Sequence, residues 1–599
     1  EMDHAGRLTC EEYAAALVKR ARYYRYMNQW IYSSYALLDQ AVESAREMDQ
    51  KAAASGVEAI APLYGLPVPM KGTAAVVQYP SGAGCGVLSG YAPVKDSAFT
   101  ALIRERNGII FGATNVPEFA FSYRTANPAS GHTRNPYGPK LTVGGSSGGA
   151  ASAVAAYMCP VAVTEDTGGS TRVPATCNQN FGFDPSRNHF PNAGNPGLTY
   201  FCDQLGLNAR SIEDIILLDA ALGESGRPAR HEDARRAVAE RPASSIRVGA
   251  PARPFAVGER LELNPDVRLK LEEAKAALGA AGFAVLGREW PGGAAPGGDG
   301  HEGNAIEALL FGSRAVNGEP LSAASRGCHL LASSSMGLMA TFVLEYLDAP
   351  VSVKEVLADC GKAGAAHDPG SMFRLACGAN ETQLRYLMGP WIKESSRKSG
   401  MKKSMCGAPR GLFGLAPYLS LPSERSVPGA APIQESCAEF CTVQFYAAFS
   451  SSEECAGVYN SYFDETGADL IVIPSAMAAT PDLDALAGAQ VPVTPVGGTV
   501  GDVKGDENDA FGSINCTLKF LHIPKMVVPT GLTPDGRPTA VQLWGRAVPY
   551  DRMFDDKFSA SWDVEFLHLA ERVSAAIQGR PGLRRADAAQ FAPPAPPRG

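Results

Sequence analysis

Residues 144–149 of this chain are Gly-Gly-Ser-Ser-Gly-Gly, and residues 166–170 are Asp-Thr-Gly-Gly-Ser. Upstream of both, residues 69–72 are Pro-Met-Lys-Gly, so that Lys71 follows the uncharged apolar run 63–70. The three segments bring together serine hydroxyls, glycine-rich turns and one lysine in an apolar setting. This combination decides which fold and which chemistry the chain can be expected to have.

A serine and a lysine in these segments can form a nucleophile and its base. A serine hydroxyl is a poor nucleophile at neutral pH, so a base must take its proton as it attacks. None of the nine histidines lies beside a Gly-x-Ser-x-Gly elbow. A lysine can replace histidine if burial disfavours its charged form. Lys71 is therefore the candidate base, because the run that precedes it contains no charge.

The turn at residues 167–170 is suited to stabilise an oxyanion. Consecutive backbone N–H groups in a glycine-rich turn can donate to the tetrahedral intermediate of an acyl transfer, and glycine leaves room for the substrate. We expect the oxyanion hole to comprise Thr167, Gly168, Gly169 and Ser170, with Ser170 as the nucleophile. Ser147 and Arg172 are expected to support these loops structurally.

Each segment taken alone has an ordinary explanation. A buried lysine at a strand end is more often ion-paired than catalytic, and Gly-Gly-Ser-Ser-Gly-Gly is also typical of a linker or a phosphate-binding turn. A Walker A loop is excluded, since no Gly-Lys-Ser/Thr closes the stretch. The occurrence of all three segments, in this order and at this spacing, favours a single catalytic site.

Taken together, the three segments resemble the amidase signature family, hydrolases that use a Ser–Ser–Lys triad. The resemblance covers roughly residues 8–285 and 440–578, with a poorly matched middle. Further matching segments are Gly112 to Phe119, Thr133 to Pro136, Ser170 to Ala175, Gln204 to Gly206, Ala209 to Asp214, Pro524, Pro529 to Leu532, Asp535 to Pro538 and Val541 to Arg546.

The resemblance implies a fold and a reaction. The fold is α/β, with a large mixed β-sheet core covered on both faces by α-helices, and the peptide bond at Ser146 is cis. The reaction is hydrolysis of a carboxylic amide to acid plus ammonia or amine. Ser170 forms the acyl-enzyme, Ser146 relays the proton and Lys71 is the base. No metal or organic cofactor is implied, and the substrate is a small-molecule amide of undetermined class.

Two residues depart from the family pattern near the site. Asp184 stands in Gly182-Phe183-Asp184-Pro185, where the family usually has Lys or Arg, and His189 stands where a smaller turn is commoner. Because the triad residues are intact, we expect these departures to affect specificity, including the substrate charge that is preferred, more than activity.

Three other functions compete with hydrolysis. An amide-forming acyltransferase would use the same acyl-enzyme. The glutamine-hydrolysing subunit of a tRNA-dependent amidotransferase is disfavoured by the poorly matched middle. A non-catalytic scaffold on an amidase fold, as in chloroplast import receptors, would have lost triad residues, whereas this chain keeps all three.

Composition narrows the class of partner. The 599 residues carry 62 acidic and 54 basic side chains, a net charge of −8, which gives no reason to expect nucleic acid. No apolar run is long enough to predict a spanning helix.

The 13 cysteines are interpreted mainly as buried thiols, and Cys437-x-x-x-Cys441 lacks further ligands at metal-binding spacing. A homodimer is a working assumption. The compartment is left open, with the cytoplasm slightly favoured, and the first residue, Glu1, is consistent with N-terminal processing.

Hydrophobic periodicity and stretches rich in glycine or proline divide the chain into six segments. They are an N-terminal helical segment (1–60), the core with the triad (61–225), a βαβ-like unit with a Gly-rich loop (226–305), a variable helical substrate cover (306–440), the C-terminal part of the core (441–580) and a disordered Pro-rich tail (581–599).

Local patterns predict the main elements. Thr9 and Glu12 form a capping box. Predicted helices are 96–106, 148–157, 211–222, 265–280, 337–347, 351–358 and 511–520. Predicted strands are 62–75, 108–112, 246–248, 284–286, 469–474 and 526–529, with 161–163 as a central strand and 223–244 as a charged surface excursion.

Overall fold

The structure is a computed structural model that describes residues 8–288 and 456–588 apart from short breaks, and a few residues between 314 and 347. The breaks fall at 61, 81, 128, 196–201, 224–225, 252–260, 458, 496, 506–507, 516–518 and 549–555. The cysteine pair at 437 and 441, the predicted helix 351–358 and all but three residues of the predicted helix 337–347 lie outside the described residues, as do almost all of the predicted substrate cover and residues 589–599 of the predicted tail.

Three helices open the described chain, namely α1 (Cys10–Tyr23), α2 (Tyr32–Leu37) and α3 (Asp39–Ser55). The predicted capping box is confirmed: the Glu12 backbone N–H donates to Thr9 Oγ1 at 3.0 Å, and the Thr9 N–H donates to Glu12 Oε2 at 2.9 Å. This exchange satisfies two of the N–H groups that a helix start leaves unpaired.

The other described α-helices of five or more residues follow in chain order. They are α4 (Ala98–Glu105), α5 (Gly148–Ala155), α6 (Arg172–Cys177), α7 (Ile212–Leu222), α8 (Arg227–Glu240), α9 (Pro265–Ala280), α10 (Leu483–Ala487) and α11 (Asp556–Gly579). Side chains start α4, α7 and α9, because Ser97, Ser211 and Asn264 each accept a backbone N–H from the first turn.

The described strands are short and form one large sheet with several small ones. They are β1 (Pro67–Lys71), β2 (Ile109–Thr114), β3 (Ala126–Asn127), β4 (Gly131–His132), β5 (Val161–Asp166), β6 (Phe181–Asp184), β7 (Gln204–Ala209), β8 (Arg247–Gly249), β9 (Leu261–Glu262), β10 (Ala284–Leu286), β11 (Arg314–Val316), β12 (Glu319–Leu321), β13 (Leu470–Pro474), β14 (Val491–Pro495), β15 (Val503–Gly505), β16 (Lys525–Leu532) and β17 (Pro538–Trp544).

The large sheet has eight strands in the order β10-β8-β13-β17-β16-β6-β7-β5. The β10–β8 and β8–β13 pairs are parallel, and the remaining pairs are antiparallel, so the sheet is mixed, as predicted. The predicted βαβ unit is also confirmed, since α9 connects the parallel strands β8 and β10.

Both faces of this sheet are covered. Successive side chains of a strand point to opposite faces. Along β13, Leu470 and Val472 belong to one buried apolar cluster, whereas Ile471 and Ile473 belong to another. Each cluster fills one side of the sheet, and helices α9 and α11 pack over the first. The predicted α/β architecture is therefore confirmed.

Two local predictions are wrong. Strand β5 is the last strand in the order of the large sheet and not a central one; all six of its residues are buried because β1 and α5 pack against it. Most of residues 223–244 is the helix α8 and not a surface excursion. It packs on α11 and keeps His231 and Val238 buried.

The described part of the chain contains no helix that is both long and apolar enough to cross a membrane.

Candidate active site

Lys71 is the last residue of β1 and is fully buried. Strand β1 runs parallel to β2, with Lys71 opposite Thr114, so the lysine leaves the strand end inside the protein. Its Nζ atom lies 2.8 Å from Ser146 Oγ. The structure thus brings together two of the residues that the sequence predicted as a triad.

Ser146 lies in the turn that precedes α5, and the Gly145–Ser146 peptide bond is cis, as the resemblance implied. The surrounding glycines are packed tightly. A Cβ atom on Gly145 would lie 2.4 Å from the Ser122 carbonyl oxygen, and one on Gly149 would lie 2.4 Å from the backbone of Asn115. The stretch is therefore a closely packed turn and not a flexible linker.

Ser170 lies in the turn between β5 and α6 and is 5% exposed. Its carbonyl oxygen accepts the Ser147 N–H at 3.2 Å, which holds the two serine-containing turns against each other. The Asp166 carboxylate fixes the turn from within: it accepts the Gly169 N–H at 2.7 Å and the Thr171 N–H at 3.0 Å. Residues 146 and 170 thus belong to one rigid pair of turns.

One N–H group of the predicted oxyanion hole already donates a hydrogen bond within the protein. Because the Gly169 N–H donates to Asp166, it is not available to a substrate in this geometry. The other predicted members are the backbone amides of Thr167, Gly168 and Ser170. Tyr123 supports this turn from the other side, where its hydroxyl donates to the Gly168 carbonyl oxygen.

Glu165, which the sequence reasoning missed, contacts the lysine directly. Lys71 Nζ lies 2.8 Å from Glu165 Oε2 and 3.0 Å from the Glu165 carbonyl oxygen, and the two side chains are 0% and 2% exposed. Lys71 is therefore not surrounded by apolar groups alone, because a carboxyl group lies within hydrogen-bond distance of its amine. The available signal was a second acid immediately before Asp166, at the end of a strand leading to the nucleophile.

Arg172 links several buried groups around the two turns. Its guanidinium pairs with Asp166 at 3.0 Å and with Asp184 at 3.3 Å, and it donates to the Asn515 carbonyl oxygen at 2.9 Å. Burial raises the pKa of Asp166, but Arg172 and Lys519 outweigh it, so the pKa lies well below its usual range. Asp166 is therefore a permanent anion of the interior.

The expectation that Asp184 affects the preferred substrate charge is not supported by its surroundings. Asp184 is fully buried and pairs with Lys519, with Arg172 at 3.3 Å and with Lys525 at 3.3 Å. Burial lowers the pKa of Lys525 to about 7, although Asp184 opposes that shift. The carboxylate neutralises interior cations, so its charge does not face a substrate.

His189, the second departure, lies away from the triad contacts in a buried polar cluster. Its Nε2 atom is 2.5 Å from Asp219 Oδ1 and its Nδ1 atom is 3.1 Å from Asp563 Oδ2. His231 reaches the other oxygen of Asp219 at 2.9 Å. This cluster ties the residue-189 loop to α7, α8 and α11.

Comparison with known proteins agrees with this geometry. Residues 16–291 match the sequence model of the family described as Amidase. The chain is 37% identical over 201 residues to a glutamyl-tRNA(Gln) amidotransferase subunit of Acidothermus cellulolyticus, which covers 33% of this chain and 39% of that protein. It is 38% identical over 176 residues to the corresponding protein of Maridesulfovibrio salexigens, covering 29% and 35%. The chain thus spans less than half the length of these curated relatives.

Solved structures share the fold. The native peptide amidase from Stenotrophomonas maltophilia superposes with a TM-score of 0.61 at 17% identity, covering 97% of this chain and 96% of that one. A 6-aminohexanoate cyclic dimer hydrolase in complex with its substrate gives a TM-score of 0.57 at 18% identity, with 98% of each chain covered. The family model thus matches residues 16–291, a little under half of the chain, and these solved structures share the fold of the chain.

Proposed function

We propose that this protein is an amidase that hydrolyses a carboxylic amide through an acyl-enzyme on Ser170, with Ser146 as proton relay and Lys71 as base. The observation that carries the proposal is the 2.8 Å contact between Lys71 Nζ and Ser146 Oγ, in a turn bonded to that of Ser170. A base in hydrogen-bond reach of the relay serine, with the turn of the nucleophile held beside it, supports serine acyl transfer.

The reaction begins when Ser170 Oγ attacks the amide carbonyl carbon. Its proton passes to Ser146 Oγ while the Ser146 proton passes to Lys71 Nζ. The carbonyl oxygen becomes an anion, and we assign its stabilisation to the backbone N–H groups of Thr167, Gly168 and Ser170. When the C–N bond breaks, Ser146 returns a proton to the leaving nitrogen, and ammonia or an amine departs.

Deacylation repeats the relay with water. The Ser146–Lys71 pair takes a proton from a water molecule as that water attacks the acyl carbon, and Ser170 recovers its own proton when the ester bond breaks. The proposed steps use side chains of this protein, the amide substrate and water. Ser147 and Arg172 hold the two turns and take no part in the proton transfers.

The test is product release from a panel of fatty acyl, aryl, peptide and short aliphatic amides. The wild type should release ammonia or amine from members of one class, and Ser170→Ala should lose at least about a thousandfold in turnover. Ser89→Ala, at an exposed serine whose hydroxyl donates to the nearby Gly86 carbonyl oxygen, is the matched control and should retain full activity. Undiminished turnover in Ser170→Ala would contradict the proposal.

Acyl transfer is the second outcome of the same assay. Added hydroxylamine would capture the acyl group as a hydroxamate. If free acid is the main product when hydroxylamine is absent, and hydroxamate forms only as hydroxylamine competes with water, the protein is a hydrolase. An amide product formed from a physiological amine, with little acid, would favour the acyltransferase.

A further inference from the structure

Five buried residues form a continuous line of polar contacts from the relay serine to the edge of the site. Lys71 Nζ is 2.8 Å from Ser146 Oγ and 2.8 Å from Glu165 Oε2. The other carboxyl oxygen, Glu165 Oε1, is 3.0 Å from Thr167 Oγ1. Thr167 Oγ1 is in turn 2.5 Å from Asp203 Oδ1.

The contacts at Thr167 require a proton that two ionised carboxylates would not supply. A threonine hydroxyl has one hydrogen to donate, and an ionised carboxylate can only accept. Thr167 can therefore satisfy Asp203 or Glu165 but not both. One of the two carboxyl groups must carry a proton and donate it to Thr167 Oγ1, because a hydroxyl can accept as well as donate.

Placing that proton on Glu165 gives every contact one hydrogen. Glu165 Oε1–H then donates to Thr167, and Thr167 donates to Asp203. Lys71, as a neutral amine, donates its two hydrogens to Glu165 Oε2 and to the Glu165 carbonyl oxygen at 3.0 Å. Its lone pair is left to accept the Ser146 O–H. Asp203 keeps the negative charge, in agreement with its greater exposure, 8% against 2% for Glu165.

We propose that Glu165 is a positioning residue that holds, in the resting site, the proton Lys71 would otherwise carry, so that Lys71 is an amine ready to act as base. This inference rests on the proposed function and deepens it. In this proposal a protonated Glu165, and not burial alone, keeps Lys71 neutral. Moving one proton from a Lys71 ammonium to the Glu165 carboxylate leaves the number of protons in the site unchanged. It lets Glu165 donate to Thr167, and it leaves Lys71 as a neutral amine that can act as base.

The same line of contacts can stabilise the charged intermediate. When Ser170 attacks, Lys71 gains a proton through Ser146 and becomes an ammonium. The Glu165 proton then passes to Thr167 Oγ1 as the Thr167 proton passes to Asp203 Oδ1. Glu165 becomes a carboxylate beside the new ammonium, and the number of protons in the line rises by only the one received from Ser170. Return of that proton to the leaving nitrogen reverses both shifts.

The pH dependence of labelling at Ser170 tests this proposal without a known substrate. A fluorophosphonate reacts when the serine oxygen bonds to phosphorus and fluoride leaves, and the serine proton passes to the relay. The labelling rate is measured from about pH 4 to about pH 10 for the wild type, Glu165→Gln and Asp203→Asn, with the label mapped to its residue by mass spectrometry.

Asp203→Asn should move the acidic limb of the profile to higher pH by about one unit or more, a loss of about tenfold in rate at a fixed pH on that limb. Glu165→Gln replaces one neutral group by another beside Lys71, so it should lower the labelling rate without moving the limb to higher pH. In Asp203→Asn, the new amide donates to Thr167, which then donates to an ionised Glu165 and returns the proton to Lys71.

An opposite or absent shift in Asp203→Asn, or a shift to higher pH in Glu165→Gln, would overturn the proposal. If Glu165 were only the ionised partner of a lysine ammonium, removing either negative charge would move the limb to lower pH. If it were only a packing residue, the rate would fall at all pH values with no shift. Asp203→Asn, at the more exposed position, carries the test should Glu165→Gln fail to fold. Wild-type protein that is folded but not labelled at Ser170 would overturn the proposed function, and this inference with it.

Discussion

The Nζ atom of Lys71 and the Oγ atom of Ser146 lie 2.8 Å apart, and neither side chain has exposed surface. If Lys71 is the base, Lys71→Met should keep the volume of the side chain and lower the rate of Ser170 labelling by about 10²- to 10⁴-fold, the usual contribution of a general base. Lys51→Met, at an exposed position of α3, is the control and should label at the wild-type rate. Loss of less than about tenfold in Lys71→Met would contradict its role as base.

Ser147 should contribute little to the chemistry, although it adjoins Ser146. Within the described residues, its hydroxyl makes long contacts, of 3.4 Å, to the backbone carbonyl oxygen and N–H of Glu165. Ser147→Ala keeps the backbone N–H that bonds Ser170, so we expect amide turnover to fall by less than about tenfold, the scale of one weak hydrogen bond. Comparison of kcat/KM for Ser147→Ala and Ser146→Ala is the measurement. Equal and severe losses in both variants would show that the relay serine has been assigned to the wrong residue or is shared.

Gly149 should be required by packing. An added Cβ would lie 2.4 Å from the backbone of both Asn115 and Gln29, which cannot move without shifting two other segments. Gly149→Ala should therefore lower the free energy of unfolding by at least about 2 kcal/mol, as overpacking does. Gly279→Ala is the matched control, because this exposed helical glycine has no atom within 4 Å of the new Cβ. It should raise stability by about 0.5–1 kcal/mol. If thermal unfolding showed the same change in stability for both variants, this result would contradict the packing argument.

The Asp563 carboxyl should make stability depend on pH. Burial raises its pKa to about 6 from 3.8, with His189 opposing the shift. The folded state therefore binds this proton more tightly than the unfolded state does. Its contribution is fully present below about pH 4 and is lost as the pH rises through about 6, an effect of at most roughly 3 kcal/mol.

Asp563→Asn removes this titration and so isolates it. The stability of the wild type relative to the variant should fall between about pH 4 and pH 7 in denaturant unfolding. Arg241→Gln, a half-exposed residue that pairs with Asp469, serves as a control with no such pH dependence expected. A wild-type stability that rises relative to Asp563→Asn over this range would show that Asp563 is held as an anion by its neighbours.

The sequence predicted the framework of the site more fully than its electrostatics. Apolar runs and caps are local signals, so the strand ending at Lys71, the helix after Ser146 and the βαβ unit could be predicted from neighbouring residues. Sheet order is not local: nothing in residues 161–166 shows that their strand is last in the order of the large sheet. The partners of buried charges are equally distant. Asp184 meets Lys519 and Lys525 only through the fold, and Thr167 meets Asp203 in the same way.

The central claim is that Ser170 is a live nucleophile, and covalent labelling tests it most directly. Purified protein would be treated with a fluorophosphonate, and intact mass and peptide mapping would locate the label. We predict a single adduct on Ser170, absent in Ser170→Ala and strongly slowed in Lys71→Met. No adduct in protein shown to be folded, or an adduct on another serine, would contradict the account and favour a non-catalytic role for the amidase fold.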